Sequence, residues 1–211
     1  MLQETPDRTG ALAQYGKIAH YYDWQVFFRG VRRKGVASLG LRPGQTALEA
    51  GCGTGINLVT MRSYVGDDGK VIGIDQSPLM LAQARAKVAR HGWTNVETIA
   101  SPLEQAELPE QADALLFSYT HDIFRIQSAV DSALAKVKPG GRVVAICTRW
   151  DERTAPRYAT GVIKLLSRRY MTTFEGIDEP WSNITRHLDD VTFRDYIFGT
   201  NVVVAGTKRL E

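Results

Sequence analysis

Apolar and polar positions follow two alternating patterns through the middle of the chain. Short apolar runs, which predict buried strands, fall at residues 46–50, 70–74, 96–99, 112–117 and 142–146. Between several of them, apolar residues recur at helical spacing, which predicts helices over 57–64, 79–91 and 128–137. Strands that alternate with helices of roughly 10–15 residues indicate βαβ crossovers and a parallel sheet with helices on both faces.

Turn and capping residues support these boundaries. Ser77 and Pro78 are typical of an N-cap and a first helical position, and Gly92 is typical of a helix end. Residues 138–141 (Lys-Pro-Gly-Gly) predict the stop between the last of these helices and the fifth strand. Because such sheets bind ligands beyond the carboxyl ends of their strands, we expect the loops after residues 50, 74, 99, 117 and 146 to line the site.

The two ends of the chain depart from this pattern. Residues 1–10 predict a loose arm, and residues 11–39 predict two or three helical pieces divided by glycines. Towards the other end, helices are predicted at 155–170 and 182–188. The apolar runs at 191–197 and 201–206 then predict an antiparallel hairpin at one edge of the sheet.

Composition narrows the classes of protein. With 211 residues, 44% hydrophobic and 23% charged, the chain is typical of one globular domain that needs no disulfide or metal staple. Its two cysteines, Cys52 and Cys147, lack metal-ligand spacing and predict reduced thiols in a cytoplasmic protein. No apolar run approaches the roughly 20 residues that span a bilayer. The net charge of +3 does not indicate a nucleic-acid partner.

Three glycines after the first predicted strand are the strongest sign of a ligand site. Gly51, Gly53 and Gly55 allow the backbone to turn sharply and approach a ligand, and they lead into a helix N-terminus that favours a carboxylate. Asp75 follows Gly55 by 20 residues, where its carboxylate can accept hydrogen bonds from a ribose diol. A loop that serves only a tight turn is the alternative, and the nearby acids Glu49 and Asp75 disfavour it.

A nicotinamide or flavin dinucleotide site is the second interpretation of this loop. That fingerprint requires a glycine three residues after Gly53, where the chain has Ile56. Glu49, just before the glycines, better suits S-adenosylmethionine (SAM), because the methionine part of SAM carries an amine and a carboxylate and no pyrophosphate.

Five segments, taken in order, resemble the class I SAM-dependent methyltransferases. Residues 48–55 resemble the glycine motif of that family, and 72–77 resemble its second-strand motif. Residues 113–118 resemble its fourth strand, and 134–141 resemble the segment before its fifth strand. Residues 18–23 resemble the N-terminal lid helix of the branch that methylates ubiquinone and other small molecules. Five segments in the right order make the resemblance specific.

The resemblance implies a Rossmann-like α/β fold with SAM as cofactor and S-adenosylhomocysteine as product. The implied sheet has seven strands in the order 3-2-1-4-5-7-6, mostly parallel, with the last strand antiparallel. Residues 1–40 would form lid helices packed on a SAM-binding domain of residues 41–211, within one globular unit. The implied cofactor contacts are Glu49, Gly51 and Gly53 at the methionine end, with Cys52 and Gly55 in the same loop, Asp75 at the ribose, Gln76 and Met80 at the adenine, and Ser118 under the sulfonium.

The stretch after the third predicted strand departs from the family pattern. Many relatives carry an acidic residue there that binds the adenine amino group. Here the stretch contains Ser101, Pro102 and Leu103, and the Ser101 hydroxyl replaces a carboxylate acceptor only weakly. This departure bears on the adenine contacts and leaves the identity of the cofactor unaffected.

The loop after the fourth predicted strand and the predicted lid carry the candidates for catalysis. His121 could move a proton near neutral pH, and Asp122 could orient His121 or attract a cationic amine. The alternative is that His121 bonds a backbone carbonyl and Asp122 caps the following helix. Tyr22, on the predicted lid, could close over SAM or stack on a substrate cation, although core packing suits it equally well.

The function expected from these features is transfer of a methyl group to nitrogen or oxygen of a small or lipid-like acceptor by in-line displacement. A non-catalytic SAM-binding module is the alternative. A nucleic-acid methyltransferase is disfavoured, since residues 118–121 (Ser-Tyr-Thr-His) stand where an Asn-Pro-Pro-Tyr tetrad would be expected. No metal site is predicted, and both a monomer and a homodimer are compatible with the sequence.

One basic cluster leaves contact with a membrane surface open. Arg29, Arg32, Arg33 and Lys34 lie in a helical segment with aromatic neighbours, which could rest on anionic lipids. A solvated helix face over an apolar stripe is the favoured interpretation of the same four residues.

Overall fold

The computed structural model describes residues 28–150 and 177–210. Predictions for the N-terminal arm, Tyr22, the segment 18–23 and the helix at 155–170 fall outside these residues. The described elements, in chain order, are α1 (Arg29–Ser38), β1 (Thr46–Ala50), α2 (Ile56–Val65), β2 (Lys70–Asp75), α3 (Pro78–His91), β3 (Val96–Ala100), β4 (Ala112–Ser118), α4 (His121–Phe124), α5 (Gln127–Ala135), β5 (Val137–Thr148), α6 (Ser182–Thr185), β6 (Leu188–Tyr196) and β7 (Asn201–Lys208).

The seven strands form one sheet of order β3-β2-β1-β4-β5-β7-β6. Strands β1 to β5 pair in parallel, and β7 runs antiparallel to both β5 and β6. The predicted order, with its reversed last strand and edge hairpin, is therefore confirmed. The central position of β1 explains why all five of its residues are buried, the polar Thr46 and Glu49 included.

Helices cover both faces of the sheet, as predicted. Successive residues of a strand point to opposite faces. In β1, Leu48 and Ala50 join one apolar core, which includes residues of α5 and α6. Ala47 joins the other core, which includes residues of α1, α2 and α3. Two apolar layers on one central sheet therefore hold the carboxyl ends of β1, β2 and β4 in fixed positions.

Helix α1 packs closely on β5 and brings its first turn to the carboxyl edge of the sheet. A Cβ at Gly35 would lie only 2.4 Å from Ile146 Cδ1, so the glycine permits the close approach. At the far end of the helix, Arg142 Nε donates to Ser38 O (3.2 Å), near the amino ends of the strands. At the near end, Arg32 reaches Ser118 at the carboxyl end of β4.

Two predicted boundaries near the end of the chain are wrong, and strand pairing explains both. The Lys-Pro-Gly-Gly stretch lies inside β5, because Val137 already pairs with Ala112 and the register then shifts. The helix predicted at 182–188 is limited to Ser182–Thr185, and Leu188 begins β6 by pairing with Lys208. In each case long-range pairing overrides the local pattern.

Candidate functional site

The loop between β1 and α2 is held by backbone hydrogen bonds. The N–H groups of Gly51 and Cys52 both donate to Ile74 O, at 2.8 and 3.0 Å, and Gly55 N–H donates to Cys52 O at 2.9 Å. Gly51, Gly53 and Gly55 have φ of 71°, 54° and 75°, which favours glycine at each position. The sharp turn predicted from these glycines is therefore present.

The surroundings of these glycines differ. A Cβ at Gly51 would lie 2.5 Å from Thr120 Cγ2, and one at Gly55 would lie 2.9 Å from Ala84 Cβ. A Cβ at Gly53 would meet no atom within 4 Å. Packing therefore requires the first and third glycines, whereas the middle one borders open space that a ligand can approach.

Asp75 joins the end of β2 to this loop. Its Oδ2 accepts from Gly53 N–H and its Oδ1 accepts from Ser77 N–H, both at 2.8 Å. Burial raises the pKa of this carboxyl, while the two backbone hydrogen bonds oppose that shift. Each carboxylate oxygen has more than one lone pair, so both oxygens can still accept from a ribose hydroxyl.

Glu49 is a buried carboxyl, 1% exposed, in the middle of the sheet. Its Oε1 accepts from Asn57 Nδ2 at 2.6 Å, while Oε2 has no hydrogen-bond partner within the described residues. Burial raises the pKa of Glu49 to about 8, against the opposing effects of the Asn57 hydrogen bond and the Arg32 charge. An unpartnered oxygen on a buried carboxyl beside the glycine loop fits the ammonium group of SAM.

The residues predicted at the adenine lie around the ends of β2 and β3. Gln76 is exposed directly after β2, and Met80 is buried in the first turn of α3. Ser77 caps that helix by accepting from Met80 N–H at 3.4 Å, as predicted. These positions suit an adenine ring that packs between the Met80 thioether and the Gln76 amide.

The loop after β3 lies against β2 at the same edge. Ser101 N–H donates to Asp75 O (3.1 Å), and Ser101 Oγ donates to Pro102 O (2.9 Å). Leu103 is buried beside them. Because the Ser101 hydroxyl donates its proton to Pro102 O, it can interact with an amino group only by accepting a hydrogen bond through its lone pairs.

Side chains from distant parts of the chain meet at the end of β4. Ser118 is buried, and its Oγ accepts from Arg32 Nη1 at 2.8 Å. Tyr119 has a φ of 58°, rare for a residue with a side chain. Its hydroxyl donates to Asn201 Oδ1 at 2.8 Å, and the Arg32 guanidinium carbon lies 4.7 Å from its ring centroid.

Arg32 is a site residue that the sequence interpretation missed. It is 7% exposed, whereas Arg29, Arg33 and Lys34 are exposed, so the predicted basic cluster is not a single solvated face. The helical spacing of residues in α1 did indicate that Arg32 is buried. Arg32 lies three residues before Gly35, on the buried face of α1.

His121 and Asp122 begin the short helix α4 beside the glycine loop. His121 is buried and Asp122 is half-buried. Thr120 occupies the N-cap position of this helix, and Asp122 lies in its first turn. Thr120 Oγ1 and Trp150 Nε1 are buried with no hydrogen-bond partner in the described ranges, at the carboxyl ends of β4 and β5. Ligand atoms could satisfy both groups.

The described residues contain neither a metal-ligand cluster nor a helix that could cross a membrane. No group of three or more His, Cys, Asp or Glu side chains that could hold a metal ion occurs in residues 28–150 and 177–210. None of the helices in those ranges is long and apolar enough to cross a membrane.

The sheet order and the loop geometry define a class, that of the Rossmann-like α/β folds. Residues 47–141 match a family model described as a methyltransferase domain. A SAM-dependent methyltransferase from Aquifex aeolicus superposes with a TM-score of 0.58 at 20% identity, covering 84% of this chain and 89% of that one. At that identity the likeness bears on the fold alone.

Curated relatives of the chain include proteins named as methyltransferases. An arsenite methyltransferase from Halobacterium salinarum is 32% identical over 107 residues, which is 49% of this chain and 27% of the relative. A demethylmenaquinone methyltransferase from Bacillus mycoides is 32% identical over 123 residues, covering 56% and 50%. The chain thus spans between about a quarter and a half of these relatives. Residues 47–141 are thus similar to a methyltransferase domain, and the family model together with the SAM-dependent methyltransferase structures supports SAM as the cofactor.

Proposed function

We propose that this protein transfers the methyl group of SAM to nitrogen or oxygen of a small-molecule acceptor. The observation that carries the proposal is the arrangement of the carboxyl edge. Glu49 and Asp75 flank the glycine loop, and His121 begins a helix whose N-cap, Thr120, contacts that loop at Gly51. Relatives named for demethylmenaquinone and arsenite support a small acceptor.

The cofactor supplies a methyl group on a positively charged sulfur, which is itself a strong methyl donor. The chain therefore has to hold the cofactor, align the acceptor opposite the sulfur and exclude water. Glu49 Oε2 would bind the ammonium group and Asp75 the ribose hydroxyls. Gly53 leaves room for the ligand, and Ser118 would lie beneath the sulfonium.

The acceptor would bind beyond β4 and β5. Thr120 Oγ1 and Trp150 Nε1 are the buried polar atoms that would contact it there. His121 would remove the proton from an acceptor hydroxyl, or from an ammonium before attack, and Asp122 would orient His121. Residues 1–40 would form a lid, and Tyr22 would close over the site as part of it.

We also place the protein in the cytoplasm. Cys52 and Cys147 are free and buried, and burial raises the pKa of both thiols. A buried protonated thiol is a packing residue rather than a nucleophile, which suits a reducing compartment.

Calorimetry and a methyl-transfer screen test the proposal together. We expect S-adenosylhomocysteine to bind with a Kd in the micromolar range and NAD not to bind. Labelled SAM is then offered with pools of amines, phenols, quinols and arsenite. Transfer to a small acceptor supports the proposal. Binding without transfer to any pool would favour a non-catalytic SAM-binding module.

His121→Ala tests the proton transfer once an acceptor is known. We expect kcat for a hydroxyl acceptor to fall roughly 100-fold or more, as for loss of a general base, with the Kd for S-adenosylhomocysteine unchanged. His187→Ala is the matched control, because His187 lies away from this edge, 3.4 Å from Asp131. Unchanged turnover in His121→Ala would remove His121 from the mechanism.

A further inference from the structure

We propose that Trp150 selects acceptors that present an oxygen to it, by donating its indole N–H to that oxygen. The inference rests on the proposed methyl transfer and narrows its acceptors to compounds that carry a hydroxyl, carbonyl or phenolate group. It begins from one atom, because Trp150 is 7% exposed and its Nε1 has no hydrogen-bond partner within the described residues. A buried donor without a partner costs free energy, so a native protein that keeps one requires a physical reason for it.

The backbone around Trp150 is fixed, so the indole is held in place before a ligand arrives. Trp150 N–H donates to Ile177 O at 3.2 Å, and Arg149 N–H donates to Thr200 O at 2.9 Å. The Arg149 side chain adds an ion pair with Asp195 at 3.3 Å. A donor that is already fixed loses less conformational freedom on binding, which favours a role in recognition.

Packing of the sheet does not account for the position of this side chain. Of the two apolar cores that the described residues form on the sheet, Trp150 belongs to neither. It lies two residues after Thr148, the last residue of β5, and is therefore beyond the carboxyl end of that strand. Ligands of parallel α/β sheets bind at this edge. The indole is thus placed where a ligand can meet it.

A second buried polar atom lies beyond the neighbouring strand. Thr120 follows β4, which pairs in parallel with β5 through Ser118 and Ile146. Thr120 Oγ1 has no partner in the part of the chain that the structure describes, although an N-cap threonine often accepts a backbone N–H of its helix. Thr120 also touches the glycine loop, since a Cβ at Gly51 would lie 2.5 Å from its Cγ2. An acceptor that contacts both Thr120 and Trp150 would therefore lie beside that loop.

The chemistry of the indole decides which acceptors it favours. An indole N–H can only donate, whereas a threonine hydroxyl can donate and accept. A hydroxyl, carbonyl or phenolate oxygen accepts from Trp150. A protonated amine has donors alone, so it would leave Trp150 Nε1 buried and unsatisfied. A site that is built to bond one group of a substrate disfavours an analogue that lacks this group. The oxygen orients the acceptor, whichever atom then receives the methyl group.

Nuclear magnetic resonance of the full chain with isotope-labelled tryptophan observes this donor directly. The chain has four tryptophans, and Trp150→Phe identifies the indole N–H signal of Trp150. The probes are matched pairs, benzyl alcohol with benzylamine and naphthol with naphthylmethylamine, added to protein saturated with S-adenosylhomocysteine. We expect the oxygen compounds to move the Trp150 signal downfield, as a new hydrogen bond does, and the amines to leave it unchanged.

The affinities of the same probes measure the size of the selection. We expect Trp150→Phe to reduce the preference for an oxygen compound over its amine partner by roughly 10-fold, the effect of removing a buried donor that the amine leaves unsatisfied. Trp93→Phe is the matched control and should retain the full preference. Trp93 lies before the amino end of β3, where its ring stacks on His91 with 4.2 Å between the centroids.

Three outcomes would overturn the proposal. A Trp150 signal that no oxygen compound moves would mean that the indole does not meet the acceptor. An equal shift with the amines would mean that Trp150 does not select. Equal loss of affinity for both members of a pair in Trp150→Phe would mean that the ring only shapes the site.

Circular dichroism and thermal melting check that each variant is folded. If Trp150→Phe does not fold, phenylalanine variants of the other three tryptophans assign the Trp150 signal by exclusion, and the native protein carries the test. Methyl transfer only to compounds without oxygen would contradict this inference and leave the proposed function intact. Binding of oxygen compounds at Trp150 without any methyl transfer would contradict the proposed function and leave the selection intact.

Discussion

The carboxyl edge of the sheet has two halves that are built in different ways. The cofactor half, after β1 and β2, is assembled from residues that are close in the chain. Asn57 bonds Glu49 across 8 residues, and Gly53 bonds Asp75 across 22 residues. Its backbone hydrogen bonds join the same two segments, since Gly51 and Cys52 both donate to Ile74 O in β2.

The acceptor half, after β4 and β5, is assembled from residues that are far apart in the chain. Arg32 bonds Ser118 across 86 residues, and Tyr119 bonds Asn201 across 82 residues. Side chains make these contacts, so the arrangement exists only after α1, β4 and β7 have come together. The difference means that loss of the Tyr119–Asn201 contact should act mainly on global stability, whereas changes in the cofactor half should act on cofactor affinity.

Asp75→Asn should have the largest effect on the cofactor half. The amide nitrogen of Asn would face the N–H of either Gly53 or Ser77, and the charge that strengthens both bonds would be lost. Each charge-assisted bond contributes about 1.5–3 kcal/mol, so we expect the affinity for S-adenosylhomocysteine to fall roughly 100-fold or more. Asp67→Asn, at a carboxylate that is 94% exposed, is the control in the same calorimetric titration. Equal affinities of the two variants would move the ribose away from Asp75.

Glu49→Gln should alter the pH dependence of stability. Burial raises the pKa of Glu49 from 4.5 to about 8, so the folded state binds the proton more tightly than the unfolded state. The stabilisation is complete below pH 4.5 and is lost as the pH rises through about 8. The loss is at most about 1.4 kcal/mol per pH unit for one group. Glutamine does not titrate, so the variant should gain stability relative to the native protein as the pH rises across this window.

Urea unfolding of the ligand-free proteins between pH 5 and pH 9 measures this difference. Parallel stability profiles for the two proteins would contradict a raised pKa for Glu49. The ammonium group of the ligand should favour the ionised carboxylate, so Glu49→Gln should also weaken S-adenosylhomocysteine roughly 10-fold, as for one charge-assisted bond. Loss of pH dependence without loss of affinity would place the ammonium elsewhere.

Tyr119→Phe should affect the acceptor half and leave the cofactor half intact. The change removes the hydrogen bond to Asn201, which is 2% exposed, and leaves its Oδ1 without that donor. An unsatisfied buried acceptor costs about 1–3 kcal/mol, which thermal unfolding would register as a lower Tm. We expect little change in the affinity for S-adenosylhomocysteine. Tyr64→Phe, at a residue that is 40% exposed, is the control. A large loss of cofactor affinity in Tyr119→Phe would show that the two halves are coupled.

Most of the sheet could be predicted because its signals are local. The bounds of β1 and the start and end of α3 agree with the prediction, since a short, mostly apolar segment, a Ser-Pro cap and a C-terminal glycine act over a few residues. The errors lie at Val137 and Leu188, where pairing with distant strands sets the boundary.

The site divides in the same way. The turn at Gly51, Gly53 and Gly55 could be predicted because each glycine takes a positive φ, which is a local requirement. The burial of Arg32 could not be predicted from charge, since three of four neighbouring basic residues are exposed and only its helical spacing sets it apart. Contacts such as Tyr119 with Asn201 leave no local pattern at all.

Substitutions in the turn between β6 and β7 should have the smallest effect. In this turn, residues with side chains adopt backbone conformations that favour glycine. Ile197 and Phe198 have φ of 50° and 55°, in a tight turn where Asn-Gly is favoured, and the Phe198 side chain is fully exposed. We expect Phe198→Gly to raise the unfolding free energy by about 1 kcal/mol, since a left-handed conformation costs a residue with a side chain that much. Gly199→Ala, with φ of 79° in the same turn, should lower it by a similar amount.

Turnover of the acceptor by Phe198→Gly shows whether the strained turn contributes to function. The turn lies at the carboxyl edge, because Thr148 at the end of β5 pairs with Asn201 and Arg149 N–H donates to Thr200 O. If Phe198→Gly is more stable and also turns over the acceptor more slowly, the exposed ring belongs to the acceptor half, and its strain is retained for function. If the variant is more stable with unchanged turnover, the turn does not belong to the acceptor half, which then extends no further than Asn201. A variant that is less stable would show that the extra freedom of glycine in the unfolded chain outweighs the strain at Phe198.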